Sequence, residues 1–130
     1  MIKEIGNRKN VHLLISILIV IPVALVYGFQ PHLLFDVTIN SIDEANIFKA
    51  IMGLYLCFSV LWILGILKQN YWYAATIANI IFMLGLALGR VISLIIDGLP
   101  SLIFSMGTIG ELILAIFGIY QLIKHQKSTI

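Results

Sequence analysis

The sequence is poor in charged residues and in cysteine. Its 8 Lys and Arg and 6 Asp and Glu residues form 11% of 130 residues, whereas charged residues form about 25% of an average soluble domain. So few charges cannot cover the surface of a water-soluble domain, which excludes that class. The net charge of +2 is too small to indicate nucleic-acid binding. The single cysteine, Cys57, excludes an internal disulfide.

Apolar residues are abundant instead. They form 61% of the chain, and the mean hydropathy is +1.07. The sequence contains four long apolar stretches, and each approaches or exceeds the ~20 residues that cross a ~30 Å hydrocarbon core. We predict one domain over 1–130, an all-α integral membrane four-helix bundle with antiparallel up-down spans. The predicted spans are about 11–29, 44–67, 71–96 and 101–123.

Short polar motifs predict where helices begin and end. Ser41 and Glu44 have the spacing of a capping box, in which each side chain satisfies a backbone N–H at the helix start. The second helix should therefore begin near residue 42, outside the hydrocarbon. Asp97-Gly98 follows the third span, and glycine there is typical of a helix C-cap.

The basic residues predict the orientation of the spans. Lys and Arg near span ends are retained preferentially on the cytoplasmic side. The loops at 30–46 and 97–101 contain neither residue, and only Lys49, at the mouth of the second helix, opposes the pattern. We therefore expect a multi-pass protein of a bacterial inner (plasma) membrane with both termini in the cytoplasm. The six bases that share one side are Lys3, Arg8, Lys9, Lys68, Lys124 and Lys127.

The last two spans each contain one charged residue. Arg90 lies in the third span, on a stripe whose members recur every three or four residues and should therefore face the bundle interior. Glu111 lies in the fourth span at a comparable depth. A charged residue at the centre of a span costs ~2.5 to 3.5 kcal/mol. We therefore expect Arg90 to pair with Glu111, or Glu111 to be protonated.

These charges belong to a predicted polar cluster between the second, third and fourth helices. One interpretation is a pocket for an anionic ligand or lipid headgroup, or a proton path. The other is an ion pair that only fixes the register of two helices. Both interpretations remain open at this stage. The candidate residues are Lys49, Asn79, Arg90, Ser93, Asp97 and Glu111.

The sequence contains no recognisable catalytic, metal or cofactor motif. His12 and His125 lie near one end of the predicted bundle and His32 near the other, so the three cannot readily surround one metal ion. We expect these histidines to be residues of the membrane interface and not ligands of a metal ion. We accordingly expect no enzyme, no metal and no cofactor.

Several local strings resemble a bacterial membrane family known as domain of unknown function 4345. The resemblance covers roughly residues 44–123, and Lys49 stands where that family tends to have arginine. It implies a four-helix integral membrane protein and brings no activity, ligand or partner. The matching features are AIMGLY at 50–55 with Trp62 and Gly65, FMLGLALGR at 82–90, and Ser93, Asp97, Gly98, Pro100, Glu111 and Gly118.

These observations favour a small membrane protein that binds a ligand, lipid or partner without catalysis. One alternative is a small transporter or proton-coupled channel, which would need to form a homo-oligomer. Another alternative is an accessory subunit of a larger membrane complex. The architecture is also broadly similar to that of DoxX-like four-helix proteins, and this similarity would imply a redox complex. The expected partners are therefore membrane lipid, further copies of the chain or a larger complex, and no nucleic acid.

Overall fold

The computed structural model describes residues 3 and 6–126 and is all-α within them. Its long helices are α1 (Val11–Phe29), α2 (Ile42–Leu67), α3 (Gln69–Ile96) and α4 (Leu102–Gln126), and the described residues include no strand. Short 3-10 helices span Arg8–Asn10 and Pro31–Leu33. All four long helices are long and apolar enough to cross a membrane. The predicted all-α four-helix fold is confirmed.

Close contacts between neighbouring helices define an antiparallel arrangement. Leu13 lies against Gly65 and Gly28 lies against Met52, so α1 and α2 run in opposite directions. Lys68 alone separates α2 from α3, which likewise makes them antiparallel. We call the end that carries this turn, the start of α1 and the end of α4 the terminal end. The opposite end, which carries the α1–α2 and α3–α4 loops, is the loop end.

The predicted helix boundaries at the loop end are present. Ser41 Oγ accepts a hydrogen bond from the Glu44 backbone N–H at 3.1 Å, and α2 begins at Ile42. The Glu44 carboxylate reaches back to the backbone N–H of Asn40, at 2.6 Å. In the usual capping box the donor to this carboxylate is the backbone N–H of the N-cap residue, here Ser41. In this protein the donor is the residue before it, Asn40. Gly98, at φ +103°, has the left-handed conformation expected after a helix.

Small residues allow α2 and α3 to approach closely at the terminal end. A Cβ atom on Gly65 would lie 2.3 Å from Cβ of Ala75. Trp62 of α2 is fully buried and meets Phe82 of α3 edge-on, with ring centroids 5.1 Å apart. Hydrocarbon tails are as apolar as the side chains, so such close packing, rather than the hydrophobic effect, stabilises helix contacts in a bilayer.

Buried polar side chains form a second core feature near the terminal end. His12, Ser16, Thr76 and Asn79 are each fully buried. His12 Nε2 and Thr76 Oγ1 are 3.2 Å apart, a hydrogen bond between α1 and α3. His12 thus lies at the end of the bundle where the sequence places it, but inside the bundle instead of on its surface.

Helices α1 and α4 are joined mainly at their ends. They contact each other far less than the other neighbouring pairs do. At the terminal end the Gln121 side chain donates to the backbone carbonyl of Arg8 at 2.8 Å. At the loop end Phe35 stacks on Tyr27 and on Phe104, with ring centroids 4.8 and 4.6 Å apart. The space between these two connections is the cavity described next.

Candidate functional site

A cavity of about 710 Å³ lies between α1 and α4. Its walls are almost entirely apolar, and Arg90 and Glu111 are the charged residues among those that line it. Gly107 and Gly110 border it on α4, and a Cβ atom added to either glycine would meet nothing within 4 Å. The missing side chains of these two glycines therefore contribute to the volume of the cavity.

The mouth of the cavity opens sideways between α1 and α4. Lining residues of these two helices are exposed, namely Ile15 and Ile19 on α1 and Met106 and Ile113 on α4. Lining residues on α2 and α3 are buried or half-buried, and Met83 of α3 is only 1% exposed. In a membrane, the surface between α1 and α4 would be in contact with lipid chains. The cavity would therefore be entered from the bilayer.

The cavity is a slot parallel to the helices. Its α1 residues run from Ile15 to Tyr27, which at about 1.5 Å per residue is about 18 Å. Its α4 residues run from Ile103 to Phe117, which is about 21 Å on the same basis. One leaflet of a ~30 Å hydrocarbon core is about 15 Å deep. The slot is thus long enough for one extended hydrocarbon chain of a leaflet.

An ion pair connects α3 and α4 at the side of the cavity. Arg90 Nε donates to both carboxylate oxygens of Glu111 at 3.0 Å. The Arg90 and Glu111 side chains are 23% and 12% exposed, respectively. The contact predicted from the sequence is therefore present. Each charge offsets the cost of placing the other in an apolar environment.

Aromatic rings enclose the ion pair on the loop side. The Arg90 guanidinium carbon lies 5.1 Å from the centroid of Phe104, within cation–π range. Phe104 stacks on Phe35, Phe35 stacks on Tyr27, and Tyr27 meets Tyr55 edge-on with centroids 5.9 Å apart. These rings close the cavity toward the loop end, so the ion pair is approached mainly from the side of the bundle.

The other predicted residues lie apart from this cavity. Ser93 donates to Asp97 at 2.7 Å in an exposed local contact near the end of α3. Ser93 and Arg90 also border a shallower groove of about 380 Å³ between α2 and α3. Lys49 is exposed on α2. Asn79 is fully buried but lies about 16 Å along α3 from Arg90. Of the six candidates, the structure thus brings Arg90 and Glu111 together in the cavity.

Sequence reasoning missed the α1 wall of the site. Ile15, Ile19, Val23 and Tyr27 recur at four-residue intervals and line the cavity together. This spacing places them on one helix face and is a usable signal. It does not show that the face borders a cavity, because an apolar stripe facing lipid has the same pattern. Phe35 has no comparable signal, since its position depends on how the loop folds back.

The comparisons with known proteins match this chain to one family model. The model described as "Domain of unknown function (DUF4345)" matches residues 9–122. The match extends further toward the N-terminus than the strings at 44–123, and includes α1 to α3, most of α4 and both residues of the ion pair. Neither a curated protein nor a solved structure matches the chain.

Proposed function

The chain belongs to the family of domain of unknown function (DUF4345), and from this premise we propose that it is a small membrane protein that binds one amphiphilic molecule of the bilayer. The binding site is the cavity between α1 and α4. One observation carries the proposal, namely that a slot open at the side of the bundle combines long apolar walls with one ion pair. The protein acts by binding, without catalysis of its own.

The two parts of the slot suit the two parts of an amphiphile. Between Ile15 and Val23 on one side, and Ile113 and Phe117 on the other, the lining is apolar. A hydrocarbon chain there exchanges lipid contacts for contacts with protein. The Arg90–Glu111 pair supplies donors and acceptors for a polar group, which bilayer hydrocarbon does not offer. Pockets of this kind, mostly apolar with a few polar groups, are typical of ligand sites.

Filling the slot should remove the bound molecule. Leucine at both Gly107 and Gly110 would project into the cavity, because a Cβ atom there meets no neighbour within 4 Å. We expect the wild-type protein to retain about one amphiphile per chain and the double variant to retain at least about tenfold less. The measurement is native mass spectrometry after incubation with vesicles of phospholipid, fatty acid and long-chain alcohol.

Gly53→Leu is the matched control for this experiment. Gly53 also has no neighbour within 4 Å of an added Cβ atom but does not line the cavity. The control should retain the amphiphile at the wild-type level. Equal retention by the double glycine variant and the wild-type protein would contradict the proposal.

We also propose an inner-membrane location with the terminal end in the cytoplasm. The bases Arg8, Lys9, Lys68 and Lys124 belong to the terminal end, and Lys9 donates to the Gln69 side chain across it. Lys127 lies outside the described residues. Basic residues gathered at one end support this orientation because Lys and Arg are retained on the cytoplasmic side.

Labelling of single cysteines should reveal this orientation. In a Cys57→Ser background, an impermeant thiol reagent added to intact cells should label Thr38→Cys and Leu99→Cys at the loop end. It should label Asn70→Cys, in the first turn of α3, only after the membrane is permeabilised. All three positions are exposed. The opposite pattern would show that the orientation is inverted.

A further inference from the structure

We infer that the bound molecule has an uncharged head bearing a hydroxyl group and an apolar chain. This inference rests on the proposed function and specifies its ligand class. Long-chain alcohols, isoprenoid alcohols and monoacylglycerols share this chemistry. Three properties of the site lead to it: its net charge, its hydrogen-bonding groups and its apolar length.

The site is neutral as a whole. Arg90 and Glu111 are the charged residues that line the cavity, and they are in direct contact. An anionic head placed against Arg90 would also meet Glu111, and a cationic head placed against Glu111 would meet Arg90. Like charges brought together at an interface cost several kcal/mol. An uncharged head avoids both repulsions and leaves the ion pair intact.

The ion pair still has donors and acceptors to offer. The contact with Glu111 uses Nε of Arg90, so the terminal Nη atoms can donate to another acceptor. The carboxylate oxygens of Glu111 have further lone pairs. A hydroxyl group both donates and accepts, so it can bind Arg90 and Glu111 at once. A carbonyl only accepts, so it could bind Arg90 but could not donate to the remaining lone pairs of Glu111.

The length of the slot suits an apolar chain. On α1 its lining lies along one side of the helix, from Ile15 through Ile19, Val20 and Val23 to Tyr27. The ion pair lies within this length, and the apolar part on α1, from Ile15 to Val23, is about 12 Å long. The slot therefore accommodates an apolar chain that extends from a head at the ion pair.

Competition between two matched amphiphiles tests the inference. The protein in phospholipid nanodiscs is photolabelled with a diazirine-bearing long-chain alcohol. The unlabelled competitors are an alcohol and an alkyl sulfonate of equal chain length, and the sulfonate stays ionised. For the wild-type protein, we expect the alcohol to compete at a concentration at least about tenfold lower than the sulfonate.

Removing the carboxylate charge should weaken or abolish this preference. In Glu111→Gln the Arg90 charge is left without its partner, so the sulfonate should gain at least about tenfold relative to the alcohol. Glu44→Gln is the control, because it removes the same charge at the start of α2, away from the cavity. Glutamine is also accepted in a capping box. The control should keep the wild-type preference.

The outcomes separate this inference from the proposed function. Equal competition by the two amphiphiles, or a preference of the wild-type protein for the sulfonate, would overturn the neutral-head inference. A folded Glu111→Gln protein that keeps the wild-type preference would also overturn it. The same holds if the protein retains an amphiphile but is not photolabelled by the alcohol. The comparison of the two competitors on the wild-type protein tests the inference even if the Glu111→Gln protein does not fold. If the wild-type protein retained no amphiphile in the cavity that Gly107 and Gly110 border, the proposed function would be refuted instead.

Discussion

Replacing Arg90 or Glu111 alone with leucine is expected to lower the free energy of unfolding by about 2 to 4 kcal/mol. Each single change leaves the other charge in an apolar cavity without its partner at 3.0 Å. Breaking a buried pair in soluble proteins costs about 3 to 5 kcal/mol. We expect a somewhat smaller loss because the Arg90 side chain is 23% exposed.

The double change should destabilise the protein less than either single change. With both charges absent, no charged group is left unpaired, and apolar replacement of a whole ion pair is often neutral or stabilising. The measurement is equilibrium unfolding of the four proteins in mixed detergent micelles, followed by near-UV circular dichroism. Losses that simply add in the double variant would show that the two residues are not energetically coupled.

The second large effect is expected at Gly65. Alanine at this position would place its Cβ atom 2.3 Å from Cβ of Ala75, which forces α2 and α3 apart near their short turn. Overpacking of this kind costs about 1 to 3 kcal/mol. We expect Gly65→Ala to lower the free energy of unfolding by this amount in the same micelle assay, even though alanine favours a helix more than glycine does.

Two further variants make this test specific. Ala75→Gly removes the atom that the new Cβ would meet, so the double change Gly65→Ala with Ala75→Gly should recover most of the loss. Gly53→Ala, in the same helix, has no neighbour within 4 Å and should be neutral or stabilising by up to about 1 kcal/mol. A destabilised Gly53→Ala protein, or no recovery in the double variant, would contradict the close packing at Gly65.

The sequence by itself determined which segments are helices and where one helix pair meets. A ~30 Å core requires about 20 apolar residues per crossing, so four long apolar runs specify four helices without any tertiary information. The position of Arg90 and Glu111 was also predictable. They are the charged residues within two spans joined by a short loop, and lipid provides no other partner for either charge.

Only the tertiary structure decided where the site is. The predicted cluster contained Arg90 and Glu111 but also Lys49, Asn79, Ser93 and Asp97. The cavity is lined by Arg90 and Glu111 together with the α1 face and Phe35. The physical reason is that lipid and the protein interior are similarly apolar. The residues of an apolar helix face therefore do not show whether that face contacts lipid or protein. The gap between α1 and α4 lies between the contacts near their two ends, and its size depends on how all four helices pack together.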